Sequence, residues 1–348
     1  MSDLHDADDL TRDVEHLERR LSEPREDVVQ AMRRLEGDLL LLGAGGKMGP
    51  TLARMARRAT DAAGIDRRII GVGRRATPEL RSALAAQRIQ WIDCDLLDRR
   101  QLEGLPDAAN VIYMPALKFD ATGREPLAWA TNTYLPGMVC ERFRRSRIAA
   151  FSTGNVYGMV PVDRGGSVES DPLRPDGDYA ASCVGRERIF SHFSEALEIP
   201  VTLLRLNYAN ELRYGVLVDL ARQVLAAEAI DLTMGYFNAI WQGDASAMTL
   251  RALEHAATPA LAVNVAGPER TSVREVAEEF SRLLGRPVTF SGSEAPDALL
   301  SNGWLGYELL GRPGVPVDQM VHWIADWLLR GGPTLDKPTH FQTRDGKF

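Results

Sequence analysis

Gly43, Gly46 and Gly49 carry the clearest chemical signal, a G-x-x-G-x-x-G spacing in Gly43-Ala44-Gly45-Gly46-Lys47-Met48-Gly49 directly after the apolar run Leu39-Leu40-Leu41-Leu42. An apolar strand that breaks into a glycine turn and opens a helix builds a cradle for a pyrophosphate. One glycine makes the tight turn, one lets backbone approach phosphate, and one packs the new helix on the sheet. Backbone N–H groups and the positive end of the helix dipole then hold the anion. The spacing is shifted by one from the common G-x-G-x-x-G form, because Met48 stands where its last glycine would fall. A glycine loop can also be a plain turn. Here a strand precedes it, and Met48, Leu52, Met55 and Ala56 mark one face of the helix that follows.

That cradle needs a sheet, and alternating elements supply one. Strands are predicted at 38–42, 68–72, 89–92, 110–114, 148–152 and 200–204, with helices at 47–63, 77–86, 126–145 and 179–195. Such alternation predicts an α/β fold, a Rossmann-type doubly wound parallel sheet with ligands at the carboxyl ends of its strands. Helices near 215–227, 244–256, 272–284 and 316–329 and short strands near 230–234, 262–265 and 287–290 predict a smaller C-terminal α/β substrate domain sharing elements with the first. Two helices, 10–21 and 25–35, precede the first strand. The expected division is therefore a helical extension at 1–36, a dinucleotide domain at 37–205, a substrate domain at 206–330 and an irregular tail at 331–348.

With 348 residues, 45% hydrophobic and 26% charged, and a net charge of -7, the composition is that of a globular protein. The acidic balance speaks against nucleic acid or an anionic membrane as partner. No apolar run approaches the ~20 residues that span a bilayer, and Met1 to Asp9 is acidic where a signal peptide is basic, so a cytoplasmic protein is expected. Cys94, Cys140 and Cys183 are odd in number and widely spaced, which fits a reducing compartment, and no metal site is expected.

Four further segments fall where a nucleotide-binding sheet needs them: Gly71-Val72-Gly73-Arg74-Arg75, Asp93-Cys94-Asp95-Leu96, Phe151-Ser152-Thr153-Gly154-Asn155-Val156-Tyr157-Gly158, and Tyr179-Ala180-Ala181-Ser182-Cys183. As a set, over about residues 38–329, they resemble the extended short-chain dehydrogenase/reductase family in its NAD(P)-dependent epimerase/dehydratase branch. The resemblance implies that Asp95 and Leu96 line an adenine, although an aspartate capping the next helix fits the spacing equally. It also places Met114, Pro115, Ala116, Asn132, Tyr179 and Cys183 along the cofactor, beside Gly43, Gly45, Gly46, Lys47, Met48 and Gly49. Where an NAD site usually offers an acid to the ribose, this chain has Arg74 and Arg75, so NADP(H) is favoured and NAD(H) stays possible. Two solvated arginines would read the same.

For catalysis the resemblance implies that Thr153 holds a substrate oxygen, Tyr179 moves the proton and a nicotinamide carries the hydride. The family's cation, a lysine four residues after the tyrosine, is missing, since position 183 is Cys. A neutral thiol cannot lower the phenol's pKa. Lys118 or Arg186 can substitute, Cys183 can itself react, or the chain can bind cofactor without turnover. Lys118 is the preferred substitute, being on the loop after the fourth strand. Nucleotide-sugar 4,6-dehydratases place an Asp-Glu pair just after the threonine, where this chain has Gly154 and Asn155, so dehydration is disfavoured. Leu204-Arg205-Leu206-Asn207-Tyr208-Ala209-Asn210 resembles the family's R-x-x-N-x-Y-G-P stretch without its Gly-Pro. Asn155, Asn207, Arg213, Trp241 and Gln242 are expected to face a sugar-like substrate, with Trp241 as interdomain core the competing reading. The expected activity is hydride transfer on a sugar or other hydroxylated small molecule, as reductase, dehydrogenase or epimerase. The alternative is a catalytically impaired dinucleotide-binding sensor or scaffold. The resemblance further implies a homodimer built on helices 126–145 and 179–195.

Overall fold

Seven parallel strands form the central sheet: Leu39–Leu42 (β1), Ile69–Gly73 (β2), Ile89–Asp93 (β3), Asn110–Tyr113 (β4), Arg147–Thr153 (β5), Val201–Leu206 (β6) and Leu261–Val265 (β7). The computed structural model describes residues 11–118 and 123–346. β1 is four leucines, all buried, and a strand apolar on both faces has to lie inside a sheet covered on both sides. Accordingly β1 pairs in parallel with β2 and β4. The order is β7-β6-β5-β4-β1-β2-β3, so it reverses between β1 and β4 and opens a crevice at their carboxyl ends.

Thirteen α-helical segments surround the sheet and the smaller lobe among the described residues. Val14–Leu21 (α1) and Glu26–Arg34 (α2) come first, then Gly49–Ala62 (α3), Pro78–Ala86 (α4) and Arg99–Glu103 (α5). Glu125–Trp129 (α6) runs through a π turn at Ala130–Tyr134 into Leu135–Arg142 (α7), and Gly177–Ala196 (α8) follows β5. Beyond β6 lie Val216–Leu225 (α9), Gln242–Ala252 (α10), Val273–Leu284 (α11), Trp304–Leu310 (α12) and Val317–Leu329 (α13). The expected helix 126–145 is thus broken by a π turn, which a 3.6-residue period does not register. The strand expected near 262–265 in the smaller domain is the seventh strand of the main sheet. The one expected at 287–290 is only Phe290–Ser291, paired with Ile230–Asp231. No helix among the described residues is long and apolar enough to cross a membrane.

α1 and α2 tie the two halves together. Leu17 and Leu21 of α1 are buried in the core of the C-terminal lobe, while Val28 and Met32 of α2 are buried in the core beneath β1 and α3. Glu18 accepts from Arg54 (2.6 Å) and Thr51 (3.2 Å) on α3 and from Arg213 (2.8 Å) beyond β6. The start expected at Leu10 lies outside the described residues. The tail, expected as an irregular extension, is a strap fastened along the C-terminal lobe. Leu335 N–H donates to Arg213 O (3.0 Å), Thr339 donates twice to Asp219, and Phe341 is buried against Phe237. Arg344 pairs with Asp297, and Gly346 packs on Gly177 at the start of α8.

Candidate active site

The glycine loop sits at the switch point between β1 and β4. Gly43 has φ +79°, and a Cβ there would come within 2.9 Å of Pro115 N on the loop after β4, so both conformation and space exclude a side chain. Gly49 opens α3 so close to the loop that a Cβ would lie 2.2 Å from Ala44 O. No side chain caps α3; Gly49 N–H donates to Gly46 O (3.2 Å), and Pro50, in its first turn, has no N–H.

Two chambers meet across this loop, with Gly43, Gly46, Met114 and Ala116 in the walls of both. The first, about 460 Å³, opens over β2 and β3 and takes in Gly45, Arg74, Arg75, Asp95, Leu96 and Pro115. Asp95 Oδ1 accepts from Leu97 N (3.1 Å) in a local turn, and it is Asp98 that caps α5, accepting from Arg100 N and Gln101 N. The capping reading of Asp95 is therefore replaced by a carboxylate at the chamber wall. Arg74 and Arg75 are exposed at its rim.

The second chamber, about 400 Å³, lies over β5 and β6 and gathers Lys47, Met48, Lys118, Thr153, Asn155, Tyr179, Asn207 and Gln242. Thr153 ends β5, and its Oγ1 donates to Asn155 Oδ1 (2.9 Å) and accepts from Asn155 N (3.2 Å). Tyr179, on the first turn of α8, is buried, and its hydroxyl shares hydrogen bonds with Thr153 and Cys183. Burial, and next the Cys183 thiol, push the phenol above its ordinary value, while Arg186 and Thr153 pull it down. Lys118 Nζ lies over the Tyr179 ring, 5.6 Å from its centroid, and burial lowers its pKa to about 8.

Arg186 also faces this chamber, at 1% exposure. It donates to Phe151 O (2.8 Å), Asn132 O (3.3 Å) and Asn132 Oδ1 (2.9 Å), all neutral acceptors. A buried guanidinium hydrogen-bonded to no carboxylate projects its charge into whatever lies in front of it. Cys183, Tyr113, Tyr179 and the Glu187 carboxylate all lie within reach of that charge, with the Tyr113 ring centroid 5.7 Å from the guanidinium carbon.

Several expected residues are elsewhere. Asn132 is fully buried behind the wall, where the π turn rotates it inward. Its amide bridges Leu117 N (2.9 Å), Leu117 O (3.0 Å) and Ser182 Oγ (3.0 Å), so it fixes the loop bearing Lys118 and holds Arg186. Cys183 is fully buried behind Tyr179, and burial raises its thiol pKa. Arg213 is spent on Glu211 (3.0 Å) and Glu18 (2.8 Å). Trp241 is buried edge-on against Trp323, with centroids 5.4 Å apart, because α1 and α13 close over it. Neither Arg213 nor Trp241 lines either chamber.

Tyr214 and Thr339 also line the second chamber. Tyr214 adjoins Arg213, whose ion pairs set its loop, and Thr339 arrives on the strap. Gln242 Nε2 is buried with no hydrogen-bond partner. The Tyr157 hydroxyl, by contrast, is structural: it accepts from Arg205 (2.7 Å) and donates to Asn264 Oδ1 (2.7 Å).

Solved structures with the same fold include UDP-glucuronic acid 4-epimerase from Bacillus cereus in complex with UDP-glucuronic acid and NAD, at TM-score 0.69 and 17% identity over 84% of this chain and 99% of that one. They also include dTDP-glucose 4,6-dehydratases: from Bacillus anthracis in complex with NAD, at TM-score 0.71 and 15% identity over 85% of this chain and 97% of that one, and from Streptomyces venezuelae with NAD bound, at TM-score 0.71 and 18% identity over 84% and 97%. No curated protein matches the sequence. The model of the NAD dependent epimerase/dehydratase family matches residues 39–235, more than half of the chain, across the cradle, both chambers and Tyr179. The chain belongs to the NAD dependent epimerase/dehydratase family.

Proposed function

We propose that this chain is an NADP(H)-dependent oxidoreductase or epimerase that moves hydride at a hydroxylated carbon of a sugar-like molecule, and that it works as a homodimer. The dinucleotide fits the residues present. The side-chain-free cradle at Gly43, before the start of α3, suits a pyrophosphate, and the two chambers on either side suit its two nucleoside halves. In this reading Asp95 and Leu96 border the adenine, and Arg74 or Arg75 meets a 2′-phosphate that a carboxylate would repel. The bound nicotinamide would supply or accept the hydride.

One observation carries the reading: Thr153 and Tyr179 share a hydrogen bond in a chamber lined by Arg186, a buried guanidinium hydrogen-bonded to no carboxylate. Thr153 and Asn155 orient the substrate oxygen. Tyr179, held protonated by burial, donates its proton to that oxygen, and Arg186 with Lys118 stabilises the phenolate left behind. Arg186 thereby supplies the charge that a lysine at 183 would have given, and unlike Lys118 it stays charged at every working pH. Dehydration is not supported. Gly154 and Asn155 carry no acid, and a Cβ at 154 would lie 2.9 Å from Ser301 Oγ. Homodimer formation is supported by Trp129 and Tyr134, 40% and 58% exposed on the segment packed against α8.

The test is a panel of sugars, sugar acids and nucleotide sugars incubated with NADPH or NADP+. Tyr179→Phe should lower turnover by about 10²–10⁴-fold while leaving dinucleotide binding intact. Net oxidation or reduction of the dinucleotide identifies a reductase or dehydrogenase, and product without net change identifies an epimerase. Dinucleotide binding with no Tyr179-dependent turnover would instead support a scaffold role.

A further inference from the structure

Among 41 lysines and arginines only four are lysines, at 47, 118, 337 and 347. Three of them lie near enough for their charges to act on one another. Lys47 reaches out of the cradle loop with Nζ 3.2 Å from the centroid of the Tyr214 ring, and Lys118 approaches the same chamber from the loop after β4. Lys337 comes in on the strap, near enough that its charge opposes that of Lys47. Elsewhere this chain meets its need for positive charge with arginine. A compact ammonium that shifts its protonation when buried is what distinguishes lysine.

Ammonium groups gathered in a half-buried chamber repel one another. Burial, then Lys337 and Lys118, bring Lys47 down to about 7. Asp219 is the nearby carboxylate that opposes this shift, and it already accepts from Thr339 N (2.7 Å) and Thr339 Oγ1 (2.6 Å). An anion entering the chamber relieves the repulsion. Gln242 supplies a second sign of a ligand on the same wall: it is 3% exposed, and its Nε2 donor has no partner.

We propose that Lys47, Lys118 and Gln242 form a subsite for an oxyanion carried by the substrate itself close to the reacting carbon, so that the substrate class is a sugar acid or a sugar phosphate. This deepens the reading of the cleft as a dinucleotide-dependent sugar site and rests on it. The closeness of Lys118 to the Tyr179 ring puts the anionic group beside the proton-transfer residue. A pyrophosphate on the cradle could draw on Lys47 as well, and the experiment separates the two sources.

The full chain, with and without saturating NADPH, is titrated calorimetrically with D-glucuronate, D-glucose 6-phosphate and D-glucose. At least one anionic probe should bind about tenfold or more tightly than glucose. Lys47→Gln should abolish most of that preference, weakening the anionic probes by more than it weakens NADPH. Equal binding of all three probes, or binding of none, overturns the proposal. So does a Lys47→Gln variant that weakens NADPH by about tenfold with the probe preference intact, since the lysine would then serve the dinucleotide. An anion preference that persists in a chain unable to bind NADPH would leave the subsite standing and overturn the dinucleotide reading.

Discussion

Arg186 and Arg205 are two buried guanidiniums flanking the same stretch of α8, and their surroundings differ in one respect. Arg205 is neutralised: NH2 lies 2.7 Å from Glu187 Oε2, Nε lies 3.0 Å from Glu187 Oε1, and Ser152 Oγ donates to the same carboxylate (2.5 Å). Arg186 has carbonyl and amide oxygens only. Two buried charges of equal sign therefore do different work. Arg205 with Glu187, Tyr157 and Asn264 locks β5, β6 and α8 together, whereas Arg186 lies near Glu187, hydrogen-bonds only to neutral oxygens and faces the chamber. In the proposed reaction, Arg186 takes the place of a cation at 183.

The largest effects should come from breaking each arginine in turn. Arg186→Met is expected to lower turnover by about 10²–10⁴-fold with dinucleotide binding retained, and Arg186→Lys to recover part of the loss. Arg205→Met should instead destabilise the fold by about 3–5 kcal/mol, read by urea unfolding, because Glu187 is left buried and charged. The double change Arg205→Met with Glu187→Gln should recover much of that stability. If Arg186→Met unfolds the chain and Arg205→Met silences it, the contrast is the wrong way round. At the far chamber, Arg74→Ser should weaken NADPH by about 10–100-fold and leave NADH unchanged. Unchanged NADPH affinity in both Arg74→Ser and Arg75→Ser would remove the case for a 2′-phosphate.

A smaller, pH-dependent effect separates the permanent cation from the titrating ones. Lys47 and Lys118 are depressed to about 7 and about 8, so in the ligand-free chain they lose their protons as pH rises through that window. Binding of an anionic probe should weaken progressively from pH 6 to pH 9, by up to about tenfold per proton per unit. Neutral probes should show no such slope. The smallest effect concerns α1: Glu18→Gln loosens the clamp between α3 and the loop bearing Arg213 and Tyr214, and should reduce stability by about 1 kcal/mol, visible as a lower Tm.

Much of this was legible in the sequence. The glycine spacing, the leucine strand and the strand–helix alternation locate the cradle, because those patterns are local and each has one physical cause. Asp95, Thr153 and Tyr179 could be expected at the cleft because their segments resemble the family's motifs, and Arg74 because it follows the second strand of that motif set. Positions set by long-range packing were not legible. Trp241 read equally as a sugar-ring contact or as core, and only the packing of α1 and α13 decides for core against Trp323. Arg213 looked like a substrate contact, yet a glutamate 195 residues away takes it. Asn132 turns inward because of a π turn that no periodicity signals. Thr339 reaches the chamber on a tail whose composition reads as irregular, held there by Asp219. The scarcity of lysine was visible in the sequence, but its meaning required seeing three of the four near one another.

The central claim is that Tyr179, backed by Arg186, serves hydride transfer in this cleft. Transfer of deuterium from C4-deuterated NADPH to a carbonyl sugar substrate, followed by mass spectrometry in the wild-type chain, Tyr179→Phe and Arg186→Met, tests it most directly. The expected result is a labelled product from the wild-type chain and loss of label by about 10²-fold or more in both variants, with the dinucleotide still bound. Label transfer that survives in Arg186→Met at the wild-type rate would contradict it.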